Sequence, residues 1–327
     1  MAIGIIGMGS HVPETVITNA DISAWTGAEE SWVGDRTGIY ERRYAADGTA
    51  TSDLALPAAA QALDSVPDAR QRLGAIIVAT CTPDVPQPAT AAILQHKLQL
   101  GSVPSFDVNA VCSGFLYGLT LAEGLLASRC KDRHVLVVGA DMFSRLMDRT
   151  DRRTVSLFGD GAGAALVAEV PDGYGLLAHR WQTDGDLYEF VGVEGGGTRL
   201  PLDAQALAEG RQYFRMNGRA VRTYALSTLR KLVEEVLGDA ALTVDDVDRF
   251  VIHQANTRMV EEVARDLGVG LDRFAFTAPG LGNTAAASVP LTLHASHRER
   301  PIRRGERILL AAVGGGLAGG AALLRWY

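Results

Sequence analysis

Mostly apolar runs of four to six residues recur at 3–6, 75–80, 135–138, 164–167, 250–253, 308–313 and 321–326, with helical stretches between them. Short runs rich in Val, Ile and Leu predict strands, and their alternation with helices predicts an α/β architecture. The order of elements then repeats. The runs beginning at Ala75 and Val135 return at Phe250 and Ile308, at nearly the same offset. A glycine turn, Gly159-Asp160-Gly161-Ala162-Gly163, precedes AALV much as the glycine-rich run 314–320 precedes AALLRW. Cys112 falls between the first pair of runs and Asn283 between the second, at a similar offset again. The chain therefore reads as duplicated, with halves at 1–170 and 171–327 that each close on a glycine turn and a strand.

Composition narrows the classes. With 47% hydrophobic and 21% charged residues, the 327-residue chain is expected to form one large body or two closely packed halves. A net charge of -7 and a pI near 5.5 argue against nucleic acid as a partner, because phosphate binders carry a basic surplus. No run reaches the roughly 18 apolar residues of a membrane span, and MAIGIIGMGSHVPE lacks a basic region ahead of a long apolar stretch, so a cytoplasmic location is expected. Cys81, Cys112 and Cys130 are odd in number and lack metal-like spacing, which suits a reducing compartment.

Three segments could carry chemistry. FDVNAVCSGF at 106–115 runs from an extended stretch into an apolar helix, with Cys112 expected in its first turn, where the helix dipole favours a thiolate. The apolar strand 250–253 ends in His253, a position where α/β proteins tend to place site residues. In GLGNTAAAS at 280–288, small residues around Asn283 let the backbone approach a ligand closely. Each has a plainer reading, as a core cysteine, a strand-end histidine and tight helix packing. Gly7-Met8-Gly9 and the 159–163 run lack the full dinucleotide fingerprint. His294 and His297 stand three apart without a set of further ligands at metal-like spacing, so no metal is expected.

Together, NAVCSGF, HQAN and GNTAAAS resemble the β-ketoacyl-acyl-carrier-protein synthase III family. The resemblance extends through WVGDRTGIYERR, TDRRTVSLFGDGAGAALV, MNG at 216–218 and AAVGGGLAGGAALLRW, essentially the whole chain. It implies a thiolase fold, two pseudo-repeated halves in a five-layer αβαβα arrangement, and a homodimer with no permanently bound cofactor. It also implies a chemistry: Cys112 takes the acyl group from an acyl-CoA, and a malonyl thioester, on CoA or on an acyl carrier protein, condenses with it and loses carbon dioxide. His253 and Asn283 would donate hydrogen bonds to the enolate, with His253 neutral and protonated on Nε2. The backbone N–H groups of Cys112 and Gly315 would hold the second oxyanion.

The same resemblance places Trp32 and Arg152 on the adenine of CoA, Arg36 and Gly218 along its tunnel, and Arg222 and Arg258 toward a carrier protein. Arg211, Arg215, Arg219 and Arg222 would share one face if that region were helical. Some positions depart from the family. Gln87 stands where a bulky apolar residue usually gates the acyl pocket across the dimer, Arg222 replaces an apolar residue, and Ala318 and Gly319 replace a threonine and tryptophan expected on the donor side. TPDVPQPATAA, FDVNAVCSG, GGGTRLPLD and RQYFRMNGRAVR look closer to a branch that makes acetoacetyl-CoA from acetyl-CoA and free malonyl-CoA. A starter-priming enzyme or acyltransferase of specialised metabolism is a further alternative. A non-catalytic thiolase-fold partner is another, against which Cys112 speaks, while Asn283 favours decarboxylative condensation over simple acyl transfer.

Overall fold

The apolar runs become the strands of two sheets that share a central layer of helices. In the computed structural model, which describes residues 2–327, the first sheet has the order β1 (Ala2–His11), β7 (Asp160–Val170), β6 (His134–Met142), β4 (Leu73–Ala79), β5 (Ser105–Val108). The second has the order β11 (Arg249–Ile252), β12 (Arg307–Gly314), β13 (Ala318–Arg325), β8 (Gly175–Thr183). Two small ribbons, β2 (Thr15–Thr18) with β3 (Glu41–Tyr44) and β9 (Val191–Val193) with β10 (Phe214–Met216), lie outside the main sheets. β4 and β6 are buried along their whole length, which explains their unbroken apolar sequence.

The two sheets repeat one topology. β4 and β6 run parallel, then β7 and β1 add antiparallel. In the second sheet β11 and β12 run parallel, then β13 and β8 add antiparallel. The counterpart of β5 has shrunk to one parallel bridge between Phe250 and Phe274. The central helices start alike: a 3-10 turn at Val111–Ser113 leads into α6 (Gly114–Leu126), and one at Ala285–Ala287 leads into α12 (Ser288–Glu299). That register sets Val111 against Ala285 and corrects the equivalence of Cys112 with Asn283 suggested by sequence spacing. Cys112 corresponds to Ala286, and Asn283 corresponds to Asn109.

Three apolar cores hold five layers together. Between the sheets, Phe115, Leu119, Val289 and Leu293 of α6 and α12 pack on Ile77, Val137, Leu310 and Val251. The outer face of the first sheet is covered by α3 (Thr51–Asp64), α4 (Ala69–Arg72) and α5 (Thr90–Lys97) through Leu54, Ala58, Ala62 and Leu94. The alanines of α3 let it approach closely: a Cβ at Gly9 would lie 2.1 Å from the Ala58 carbonyl oxygen. The outer face of the second sheet is covered by α9 (Gly218–Asp239) and α10 (Thr257–Leu267). Burial of each large aliphatic side chain in these cores contributes about 1.5–3 kcal/mol.

α10 shows how sequence dictates a surface. Asn256 caps it by accepting from the Met259 N–H at 2.9 Å, Gly268 ends it in the left-handed region, and Met259, Val260, Val263 and Ala264 form its buried stripe. Arg258 and Arg265 are left exposed and Glu261 and Glu262 partly so, on the far side. The shorter helices α1 (Asn19–Thr26), α2 (Glu30–Thr37) and α7 (Arg152–Val155) pack together, with α2 touching α10. α8 (Ala204–Ala208) and α11 (Ala278–Leu281) brace the loops before β10 and before Asn283. No helix among the described residues is long and apolar enough to cross a membrane.

Candidate active site

Cys112 sits in the 3-10 turn ahead of α6, and its surroundings are built by glycines and a strained valine. Val111 has φ 47, a left-handed conformation that costs a β-branched residue roughly 1–3 kcal/mol. The Asn109 side chain supports it by accepting from the Val111 N–H at 3.2 Å. Ser113 ties the turn to the second sheet, donating to the Ala312 and Ala318 carbonyls at 3.2 and 2.9 Å. A Cβ at Gly314 would lie 2.6 Å from the Cys112 nitrogen, so glycine is required for the closing loop to pass the nucleophile.

His253 follows the last residue of β11, and its N–H donates to the Ala311 carbonyl at 2.8 Å, continuing the pairing with β12. Burial pushes its imidazole down to about 4, so the ring is neutral at physiological pH. Its Nδ1 is buried with no partner among the described residues. Asn283 is clamped by backbone on both sides: its N–H donates to the Leu157 carbonyl at 2.8 Å, and its carbonyl accepts from the Gly159 N–H at 3.0 Å. A Cβ at Gly159 would lie 2.3 Å from the Leu281 carbonyl oxygen, which explains the first glycine of the 159–163 run. The Asn283 Oδ1 accepts from the Ala285 N–H at 2.9 Å, leaving the amide Nδ2 as the donor presented to the pocket.

Cys112, His253 and Asn283 line one cavity of about 140 Å³ together with Gly218, Gly314 and Gly315. Its walls are apolar, with Phe143 stacked on Phe158 at 4.4 Å and Phe214 edge-on to both. Arg222 is the one lining side chain that carries a full charge at neutral pH. In this setting the thiol of Cys112 is pushed up to about 12, first by burial and then by the nearby Asp141 carboxylate. Cys112 does stand at the start of a helical stretch, the 3-10 turn and α6, as expected, while burial against Phe143 and Phe158 disfavours the anion. Asp141 carries no signal in sequence beyond being an acid at the end of an apolar run. Fully buried, it accepts from the Thr80 and Thr82 hydroxyls, the Cys81 and Thr82 N–H groups and the Ala286 N–H at 2.8–3.1 Å.

One side of the cavity is lined by α9 and by the start of α10, with α2 packed on α10 and α7 on β10. The Arg152 guanidinium lies 5.0 Å from the ring centre of Trp32, so these two are brought together. A second such pair, Arg149 over Trp25 of α1 at 4.6 Å, was not legible in sequence. Gly218 opens α9, while Arg36 is exposed on α2 and makes no ion pair among the described residues. Gln87 is exposed on a loop and does not line the cavity of its own chain. The four arginines do not share a helical face. Arg211 precedes and Arg215 lies within β10, because Asn217 caps α9 by accepting from the Ala220 N–H and leaves only Arg219 and Arg222 on the helix. Ala318 and Gly319 lie in β13 rather than at the mouth, and a Cβ at Gly319 would press on Leu232 of α9 at 2.9 Å. No cluster of three or more metal-ligating side chains occurs among the described residues.

Comparison with known proteins agrees with this geometry. Residues 106–185 match the family described as 3-Oxoacyl-[acyl-carrier-protein (ACP)] synthase III, and residues 237–326 match its C-terminal part. The chain is 43% identical over 324 residues to acetoacetyl CoA synthase NphT7 of Streptomyces sp. (strain CL190), covering 98% of each chain. It is equally identical to β-ketoacyl-[acyl-carrier-protein] synthase III 3 of Streptomyces coelicolor, covering 98% and 96%. The structure of the synthase III from Thermus thermophilus superimposes with a TM-score of 0.92 at 37% identity, covering 99% of both chains. One match carries the Cys112 turn and the other the His253 and Asn283 loops, and on that basis the chain belongs to the 3-oxoacyl-[acyl-carrier-protein] synthase III family, with its thiolase fold.

Proposed function

We propose that this protein condenses a short acyl group held on Cys112 with a malonyl thioester. The observation that carries the reading is the convergence of a buried thiol, a neutral imidazole and an outward-turned amide on one apolar cavity of about 140 Å³. Trp32 and Arg152 take the adenine of the incoming acyl-CoA between planar groups, with Arg36 and Gly218 along its path. The Cys112 sulfur bonds to the thioester carbonyl as the bond to the CoA sulfur breaks, and the thiol proton leaves with the CoA thiol. No permanently bound cofactor takes part in these steps.

The malonyl thioester then enters. Its carboxylate is desolvated among Phe143, Phe158 and Phe214, which favours loss of carbon dioxide. The electron pair of the broken bond moves into an enolate whose oxygen receives hydrogen bonds from His253 Nε2 and Asn283 Nδ2. The enolate carbon bonds to the acyl carbonyl, whose oxygen is held by the N–H groups of Cys112 and Gly315. Collapse expels the Cys112 sulfur, which takes up a proton, and a 3-oxoacyl thioester leaves. Neutral His253 is required, because only a donor that need not lose a charge can follow the enolate through the cycle.

The 43% identity to an acetoacetyl CoA synthase favours acetyl as the starter and an acetoacetyl thioester as the product. In this reading the protein acts as a cytoplasmic homodimer, with the exposed Gln87 of each copy gating the acyl pocket of the other. Intact mass after incubation with acyl-CoAs of increasing length, followed by a malonyl thioester chase, tests the whole scheme. One acyl group on Cys112, released as 3-oxoacyl product with carbon dioxide, is the expected result. No mass increase with any donor would overturn it.

A further inference from the structure

We infer that the protein holds a second binding site, a cleft between β1, α3 and the end of α12 that takes a small aromatic carboxylate. The site goes beyond the condensation reading and shares no lining residue with the cavity at Cys112. It measures about 530 Å³, against about 140 Å³ at Cys112, and falls in the range of small-molecule sites. It stands at the β1 edge of the first sheet, across the full width of the sheet from β5. A bulge in β1 leaves Ile6 without a partner in β7, and α3 passes so close that a Cβ at Gly7 would lie 2.6 Å from the Ser65 Oγ. Gly7 and Met8, part of a glycine motif that the catalytic site does not use, line the cleft with Ile5 and Ile6.

His294 is the residue that points to a ligand. It lines the cleft yet is only 7% exposed, its Nδ1 is bonded to the Ser10 Oγ at 2.8 Å, and its Nε2 has no partner among the described residues. One turn on, the Nδ1 of His297 accepts from the Ile302 N–H at 3.2 Å, so the neutral ring carries its proton on Nε2 and donates there. A protonated Nε2 cannot bind a metal ion, so the histidine pair suits an acceptor instead. Gln61 adds a second donor: its Oε1 accepts from the Ser10 N–H at 2.9 Å, which leaves the amide Nε2 free. Among the described residues no aspartate or glutamate lines the cleft. Burial first, and then the charges of Arg298 on His294 and of Arg249 on His297, hold both imidazoles below their ordinary range. Uncharged donors in such positive surroundings favour a carboxylate. Trp326, whose ring centre lies 5.8 Å from that of His297, offers an aromatic face beside those donors.

The test is equilibrium dialysis of the whole protein with cinnamate, an aromatic carboxylate, with and without saturating acetyl-CoA. One cinnamate per chain, undisturbed by acetyl-CoA, is the expected result. Cinnamamide, which has the same shape without the charge, and inorganic phosphate, which has charge without the ring, should each bind about tenfold more weakly or less tightly still. Gln61→Glu keeps the acceptor for the Ser10 N–H and sets a like charge against the ligand; it should weaken cinnamate by about tenfold and cinnamamide far less. Trp326→Leu should weaken both alike. Gln61 is exposed and outside the catalytic cavity, so condensation at the wild-type rate verifies that its variant is folded. Absence of saturable cinnamate binding, displacement by acetyl-CoA, equal binding of acid and amide, equal binding of phosphate, or a Gln61→Glu affinity equal to wild type overturns the site.

Discussion

Asn109 and Asn283 occupy equivalent places in the two halves of the chain and perform one task. Each side-chain oxygen accepts from the N–H two residues on, at 3.2 Å from Val111 and 2.9 Å from Ala285, and each of those residues is held in the left-handed region at φ 47 and 48. The Asx turn is thus a repeated way of starting a central helix. Only Asn283 is buried against the cavity; Asn109 is exposed. The candidate catalytic amide is the copy of a structural element that happens to face the pocket.

Asn283→Asp keeps the acceptor that supports Ala285 and removes the donor. Condensation should fall by about 100- to 1000-fold while acylation of Cys112 survives, as read by product formation against intact mass. Asn109→Ala, which loses only the turn, should cost about 1 kcal/mol of stability in chemical denaturation.

Gly314→Ala would place a methyl group 2.6 Å from the Cys112 nitrogen. The nucleophile must shift, and a displacement on the order of 1 Å costs about 100-fold in rate. Acylation followed by mass should slow by that much, with the far-ultraviolet circular dichroism unchanged.

Asp141→Asn removes the negative charge that helps hold the Cys112 thiol up at about 12. The pH dependence of alkylation by iodoacetamide should move to lower pH. The amide cannot accept from all the donors that the carboxylate serves, so unfolding free energy should fall by about 1–3 kcal/mol as well.

His253 binds a proton less readily folded, at about 4, than in its ordinary range near 6.5. Between those values the unfolded chain takes up the proton and the folded chain does not, so stability is complete above about pH 7 and declines as pH falls toward 4. The loss at pH 5 is about 2 kcal/mol. His253→Gln should be destabilised less than wild type by a change from pH 7 to pH 5, by about that amount, in urea titrations.

Much of the fold was legible because buried strands are written as apolar runs. The run 135–138 marks β6, and 308–313 marks β12 almost to its ends. β8, GLLAHRWQT, was not, because an edge strand with a half-exposed face carries Arg180 and Gln182 among its apolar residues. The roles of Cys112, His253 and Asn283 could be proposed from local motifs. The charge state of Cys112 could not, because it depends on Phe143, Phe158 and Asp141, which reach the site from other strands and loops. The pairing of Arg222 with Glu262, far apart in sequence, is likewise set by how α9 and α10 pack.

The single bridge from Phe250 to Phe274 has a consequence for self-association. A duplicated body with a free strand edge on each copy could join head to tail and propagate as a fibre. Here the second copy's edge is occupied by its own chain, with the Ala275 N–H donating to the Phe250 carbonyl at 3.0 Å, while the first copy still ends in β5. The two copies therefore differ at this edge: β5 offers a four-residue strand for pairing, whereas its counterpart beside β11 has been reduced to a single bridge.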